Sequence, residues 1–388
     1  MRGAWSAPRL AASSEKTAFN ECIQVPLAKD KVRSVGEPIA LVVAESRYVA
    51  EDALDDIDVD YDILPANVIM EKAIEPDAPL IHEDAGTNVA AHVIQEKGDV
   101  NGAFAKAALK LKRRFYYDHG SAAPMETRGM VASWDRFNNS LMVWDTTQAP
   151  IVIRNMLADR LGLSEHQVRV VAPFIGGGFG PKIMMMYPEE ITIPWVAMQL
   201  GRPVKWIEDR RENFIAMNHE RDQIHDAEIA LARWASSAYR FIPLRHRRAS
   251  CGLTVALSAQ CTLLGPMRHP ELLFRVQSCL HEQDNRQPLS RQGRQHGVFV
   301  IERLLDFAPR ARNRSCEIRR RNFIPPDKFP YNNEIIYQDF APLRYDSGNY
   351  AAVLDRQGDD RLRQVLERRA AALAQRGQAG RDWHRLLR

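Results

Sequence analysis

Three consecutive glycines, Gly176, Gly177 and Gly178, followed by Phe179, Gly180, Pro181 and Lys182, form the strongest local chemical signal in this chain. Glycine lets a backbone approach a bound group and adopt angles that a Cβ disfavours, and successive N–H groups can donate to an oxo ligand or a phosphate. Phe179 offers an apolar wall to a planar substrate or cofactor, and Lys182 supplies either a charge or support for the loop. The plainer alternative is an ordinary turn with Phe179 in the core. The run is neither GxGxxG with a following acid nor a P-loop ending in GK[ST], which argues against the familiar modes of NAD and ATP binding. Gln148, in the run TTQAP, carries an amide able to donate to an anionic oxygen; a satisfied loop or capping amide is its alternative. His119 and Glu126, in HGSAAPMETRG, are either acid–base groups or structural polar contacts. Glu189 and Glu190 have the same ambiguity, since paired helix acids often face water.

The surrounding pattern suggests how these residues are held. Val168–Val171 reads as a strand leading into the glycine loop, and Ile151–Leu161 as a helix ended by Gly162. A second helix is expected over Glu189–Leu200, stopped by Gly201, and then a strand at Val204–Ile207. Upstream, strands are expected at Gly129–Trp134 and Ser140–Trp144. Nearer the start, a strand-like run ends at Ala44, a short helix fits Tyr48–Leu54, and a β-rich pattern returns at Ile57, Val59 and Tyr61. Residues 298–308 suit a helix, and 317–330 pass from a charged helical segment into a proline-rich connection. The final segment suits an isolated helix without a continuous apolar face.

Composition excludes several classes. With 45% apolar and 26% charged residues the chain has the make-up of a globular protein, and it lacks the run of about 18 apolar residues that a membrane span needs. The first fourteen residues make a poor secretory signal. Five scattered cysteines without CxxC spacing indicate neither a disulfide framework, a zinc site nor an iron–sulfur cluster, and a reducing compartment fits them best. The net charge of +4 hides an uneven distribution: five arginines and no acid lie in 233–250, and nine arginines with four acids in 356–388. Those blocks lack the motifs and interleaved aromatics of a nucleic-acid surface.

The ordered runs KVRSVGEPIALVVA, YDHGSAAPMETRG, TTQAPIVIRNMLADRLGL, VRVVAPFIGGGFGPK and YPEE resemble the xanthine dehydrogenase/aldehyde oxidase/aerobic carbon-monoxide dehydrogenase large-subunit family. The likeness continues through GRPVKWIEDRRENFIAMNHERDQIHDAE, GRQHGVFVIERLLD, EIRRRNFIPP and YDSGNY, covering most of 27–355. It implies an α+β fold: a partial hammerhead-like domain over 1–100, the first part of a molybdenum-cofactor-binding domain over 101–355, and a nonfamily Arg-rich tail over 356–388. Gln148 then corresponds to the glutamine near the molybdenum oxo group, Gly176, Gly177, Gly178 and Gly180 to the cofactor-side loop, and Phe179 to the aromatic of the substrate pocket. The implied cofactor is molybdopterin cytosine dinucleotide with molybdenum, and no residue of this chain coordinates the metal directly. The implied chemistry is hydroxylation of an electron-poor carbon in a small or heterocyclic substrate. Electrons would leave through [2Fe-2S] and FAD on partner chains, an iron–sulfur small subunit and an FAD-binding medium subunit. A large-subunit dimer is compatible with this reading, specific nucleic-acid binding is not expected, and the expected location is the cytoplasm, with or without docking to the inner face of the membrane.

The departures are specific. Ile183 follows GGGFGPK where xanthine-type members have a substrate-facing glutamate, so purine hydroxylation is disfavoured. QPLSRQGRQHG lacks the cysteine of the copper-holding loop of true carbon-monoxide dehydrogenases and puts Ser290, with Arg291 one place later, where a substrate-facing arginine is usual. A neutral Ser cannot replace the forked cation. The family pattern breaks abruptly at 233–250, before 293, across PRARNRSC and after Tyr350, which favours a disrupted reading frame over ordinary loop divergence. The general base, a late glutamate in the family, is expected to be absent, so the chain alone is expected not to turn over. The alternative function is a noncatalytic remnant or association module of the same family.

Overall fold

A computed structural model describes residues 17–19, 25–183, 187–232, 235–246, 262–279, 294–307, 315–336 and 342–352. In chain order, β1 (Thr17–Phe19), α1 (Arg47–Leu54), α2 (Met70–Ala73), β2 (Val89–Lys97), α3 (Val100–Lys106) and β3 (Leu109–Gly120) come first. A compact α/β stretch follows: β4 (Gly129–Asp135), β5 (Ser140–Asp145), α4 (Pro150–Leu161), β6 (Val168–Val171), α5 (Pro188–Leu200), β7 (Val204–Ile207) and α6 (Arg210–Ala216). The remainder comprises β8 (Glu220–Ala232), β9 (Ala235–His246), β10 (Glu271–Cys279), α7 (Arg294–Phe307), α8 (Ser315–Asn322), β11 (Tyr331–Ile336) and β12 (Pro342–Tyr345).

The α/β stretch makes a four-stranded sheet in the order β6-β5-β4-β7. Asp135 shapes the β4–β5 hairpin, its Oδ1 accepting the Phe137 and Asn138 N–H groups at 2.9 and 3.2 Å. Met130, Ala132, Leu141 and Val143 alternate with less buried neighbours, and they meet Ile153 and Leu157 of α4 and Ile191 and Ala197 of α5. Each helix has proline in its first turn, where the missing N–H goes unused, and ends on a left-handed glycine, Gly162 or Gly201. β5 and β6 are parallel and joined through α4, so their C-terminal ends share one edge of the sheet. The same edge therefore receives the loop carrying Gln148 and the loop carrying the glycines.

The second sheet has six strands in the order β1-β2-β10-β9-β8-β3. Its core joins Phe115, Ile229, Tyr239, Phe241 and Phe274 to Val300, Ile301, Leu304 and Leu305 of α7 and Ile318 of α8. Across the sheet, Val100 of α3 packs on Ala230 and Ala238. β9 lies within the Arg-rich 233–250 block, yet it runs antiparallel to β8 and parallel to β10. Its Ala238, Tyr239 and Phe241 are almost fully buried, and the last two rings stack with centroids 5.8 Å apart. A segment in which the family's sequence pattern breaks thus contains a central strand. The opposite edge, β3, carries Lys110, Lys112, Arg113 and Arg114, charges that discourage strand addition.

Two expectations fail in the N-terminal region. The run ending at Ala44 and the run Ile57–Tyr61 form no ladder among the described residues, although the helix between them is present as α1. Alternation makes a strand only where a neighbour supplies the hydrogen bonds, and here Ile39, Val43, Ile57, Val59 and Tyr61 remain exposed. Leu41 is the exception, packed against the core of the four-stranded sheet. No helix of the described residues is long and apolar enough to cross a membrane.

Candidate functional site

Gln148 and the glycine loop meet at the shared edge of β5 and β6. Gly180 N donates to Gln148 Oε1 at 2.9 Å, and Gln148 N donates to Lys182 O at 2.8 Å. The Gln148 side chain lies directly over Gly178: a Cβ there would come within 2.3 Å of Gln148 Cδ, so no larger residue fits without displacing the amide. Gly177 has a φ of 99° and lies under the ring of Phe179. Phe179 itself has φ 53° and is half exposed, an unfavoured backbone that the surrounding contacts hold in place. The N–H groups of Gly177, Gly178 and Phe179 donate no hydrogen bond among the described residues. With the Gln148 amide nitrogen they are donors left over in one short loop, the kind of set that suits an anionic or oxo group.

Beneath this surface is a buried charge cluster. Lys182 is 3% exposed, and its Nζ donates to Glu126 O and Thr127 O at 3.0 and 3.2 Å. Burial lowers its pKa, against the pull of neighbouring carboxylates. Arg128 is bound by Glu208, whose carboxylate also accepts the Arg128 N–H and the Asn213 amide, and by Glu189 at 2.5 Å. Burial opposes the charge on Arg128, but Glu189 and Glu208 outweigh it and raise its pKa. Tyr187 stacks under this guanidinium, 3.7 Å from ring centroid to Cζ.

Two further acids complete the cluster. Asp145, at the end of β5, is hydrogen-bonded to Glu190, and burial pushes Asp145 up to about 6. Burial raises Glu190 well above the usual carboxylate range, the adjacent Asp145 adding to it, and it lifts Glu189 to about 7 against the Arg128 charge. Two hydrogen-bonded carboxyl groups need a proton between them. Asp145, Glu189, Glu190, Arg128, Lys182 and Tyr187 also line a cavity with room for roughly one water, beside which Asp145 Oδ2 accepts no hydrogen bond.

The structure therefore brings Gln148, the glycines, Phe179, Lys182 and Glu126 together. Glu189 and Glu190 are not the water-facing helix acids that pairing suggests: they occupy the first turn of α5, which points into the cluster, and Glu190 accepts the Tyr187 N–H at 2.6 Å. Sequence reasoning overlooked Arg128, Asp145 and Glu208; the signal was their position at strand ends flanking the glycine run. His119 lies elsewhere, with Nε2 2.8 Å from Nδ1 of His219. Ser290 and Arg291 lie outside the described residues. Ile183 directly follows the loop and donates its N–H to Gly180 O at 3.1 Å. Among the described residues no group of three or more His, Cys, Asp or Glu is placed to hold a metal ion.

Residues 81–323 match the family model of the molybdopterin cofactor-binding domain, and 6–65 match that of the aldehyde oxidase and xanthine dehydrogenase a/b hammerhead domain. The carbon monoxide dehydrogenase large chain of Hydrogenophaga pseudoflava is 32% identical over 84% of this chain and 43% of its own length. The nicotine 6-hydroxylase large subunit of Paenarthrobacter nicotinovorans is 32% identical over 86% of this chain and 41% of its own. In structure, the quinoline 2-oxidoreductase of Pseudomonas putida 86 superposes with a TM-score of 0.85 at 29% identity, covering 96% of this chain and 48% of that one. The chain spans less than half the length of these relatives. The matches span both the hammerhead region and the sheet edge that carries Gln148 and the glycines. This chain belongs to the xanthine dehydrogenase/aldehyde oxidase/aerobic carbon-monoxide dehydrogenase large-subunit family, with a hammerhead domain followed by a molybdopterin-binding α+β region.

Proposed function

We propose that this chain carries one face of the cofactor site of a molybdenum-dependent hydroxylase. The donor array of Gln148, Gly177, Gly178 and Phe179 is the observation that carries the reading. The residues fit the group. Gln148 Oε1 is occupied by Gly180, which leaves the amide nitrogen to donate to an oxo ligand, and the missing Cβ of Gly178 lets that amide lie flat on the loop. A bound molybdopterin cytosine dinucleotide would supply the two-electron chemistry at molybdenum. The chain's own part is to orient and to shield: Gln148 and the loop N–H groups hold the oxo face, and the half-exposed Phe179 gives a planar substrate an apolar wall.

The Ile183 side chain carries neither charge nor hydrogen-bonding group, which suits a small or non-purine heterocyclic substrate better than a purine. In this reading [2Fe-2S] and FAD on small and medium partner subunits would supply the onward electron transfer, and the setting is cytoplasmic. The relatives named as large chains or large subunits support the multi-subunit arrangement.

Production in a host that makes the cofactor, followed by metal analysis, tests the proposal. About one molybdenum per chain is expected. Gly178→Val, which displaces Gln148, is expected to abolish it, and Gln148→Ala to lower it several-fold with the fold intact. A wild-type chain that is folded, exposed to cofactor and still free of molybdenum would refute the reading.

A further inference from the structure

The segment Pro124–Arg128 has no helix or strand over Pro124 to Arg128, yet each of its five carbonyl oxygens is held. Arg210 of α6 donates to Pro124 O and Met125 O at 2.7 and 2.8 Å. Lys182 Nζ takes Glu126 O and Thr127 O, and Glu208 N donates to Arg128 O at 3.0 Å. Thr127 Oγ1 returns a bond to Glu208 O at 2.7 Å. A backbone fixed at five successive acceptors has little freedom left, and the buried Lys182 and the partly buried Arg210 supply four of those bonds.

What this mount presents is Glu126. Its Oε2 accepts the Gly176 N–H at 2.6 Å, and its own N–H donates to Gly176 O at 3.1 Å. The Cβ of Glu126 sits where a Cβ on residue 176 would be, 2.6 Å away, so the clasp and the glycine require each other. Glu126 thus grips the first glycine of the loop while Gln148 grips the last, Gly180. Between the two grips lie the three donors that remain unused. Lys182 Nζ stands 3.8 Å from the Glu126 carboxylate and ties the grip to the buried cluster.

We infer that Glu126 is a positioning residue, fixed by Lys182 and Arg210, that sets the conformation of the 176–180 loop from the side opposite Gln148. This rests on reading the loop as the cofactor-side surface, and it assigns Glu126 no proton transfer. The clasp is made entirely by residues of this chain, so loop order alone can test it.

Amide exchange in the full chain, read by mass spectrometry on short peptides, reports the hydrogen-bonded Gly176 and Gly180 amides. Glu126→Ala is expected to speed their exchange about tenfold, as loss of a charge-assisted hydrogen bond does. Glu126→Gln, which keeps an acceptor without the charge, is expected to speed it about threefold, while strand amides at 141–144 stay unchanged. Lys182→Met is expected to loosen residues 124–128 as well as the loop. Should that variant fail to fold, the Glu126 variants suffice, because the Glu126 side chain is 40% exposed and its loss leaves no buried void. Loop exchange equal to wild type in Glu126→Ala, or acceleration shared equally by 141–144, overturns the inference. Molybdenum content measured in parallel separates the two proposals: a loosened loop in a chain whose wild type never takes up molybdenum supports the clasp and removes the cofactor reading.

Discussion

Arg114 and Arg128 each bridge two acidic side chains, one on the edge of the six-stranded sheet and the other beneath the glycine loop. Arg114 makes a fork to Asp226 at 2.8 and 2.7 Å and reaches Glu71 at 2.7 Å, with its side chain 43% exposed. Arg128 reaches Glu208 and Glu189 with its side chain 6% exposed. Their acidic partners raise the pKa of both. The surroundings differ. The six-stranded sheet owes its stability to the cluster around Tyr239, Phe241, Phe274 and α7, and the Arg114 pairs lie on its exposed edge strand. The four-stranded sheet also has an apolar core, but the edge that carries the site is filled with ions. Burying ions adds little net stability and leaves few alternative arrangements, so this edge trades stability for fixed geometry.

The contrast breaks most easily in the apolar sheet. Phe241→Ala is expected to cost about 3–5 kcal/mol, the usual range for emptying a buried aromatic site, measured by urea denaturation. The same substitution asks whether the 233–250 block belongs to the fold: a loss within about 0.5 kcal/mol, as at a surface position, would show that β9 is not the central strand. In the ionic edge, Arg128→Ala is expected to cost a similar amount, about 3–5 kcal/mol, because Glu189 and Glu208 are left buried without their cation. Arg128→Ala together with Glu189→Gln and Glu208→Gln should recover part of that loss. If the triple variant is no better than the single one, stranded charge is not the cause.

Local rules made much of the site region legible. The strands at 168–171 and 204–207 and the helices around 151–161 and 189–200 follow from alternation, first-turn proline and terminal glycine, all of which act within a few residues. Gln148 and the glycines stood out by type, and the parallel pairing of β5 with β6 brings them together. The six-stranded sheet was not legible in the same way. Its order joins β2 to β10, pairing Val93 with Val276, 183 positions away, and no short-range pattern encodes such a pairing. The charge cluster was hidden for another reason: Arg128, Asp145, Glu189 and Glu208 look like surface residues until the fold closes over them. The runs 39–44 and 57–61 show the converse, a strand pattern that forms no ladder among the described residues.

Proton linkage sharpens the contrast at smaller magnitude. Asp145 is pushed up to about 6 by burial, facing Glu190, Glu189, Arg128 and Lys182. A carboxyl whose folded pKa is raised favours the fold when protonated. Its contribution is full below the unfolded value near 4 and is lost as pH climbs through about 6, a difference of about 2–3 kcal/mol. Urea midpoints at pH 5 and pH 8 should therefore show wild type losing more stability across that interval than Asp145→Asn. Equal losses would remove Asp145 from the account.

The smallest effect is expected where the bonding looks strongest on paper. Arg114 has three short hydrogen bonds to two carboxylates. Yet water solvates the guanidinium nearly as well once the pair is gone, and salt screens the attraction while it lasts. Arg114→Ala is accordingly expected to cost about 1 kcal/mol or less, and less still at high salt. The Arg128→Ala cost should barely respond to salt, since its partners are out of reach of the ions. Comparing the two variants at low and high ionic strength isolates burial as the variable, because each arginine binds a pair of acids. Equal costs for both, or an Arg128 cost that falls with salt as fast as that of Arg114, would mean the cluster under the glycine loop is wetter than its packing shows, and that charge alone does not hold the loop in place.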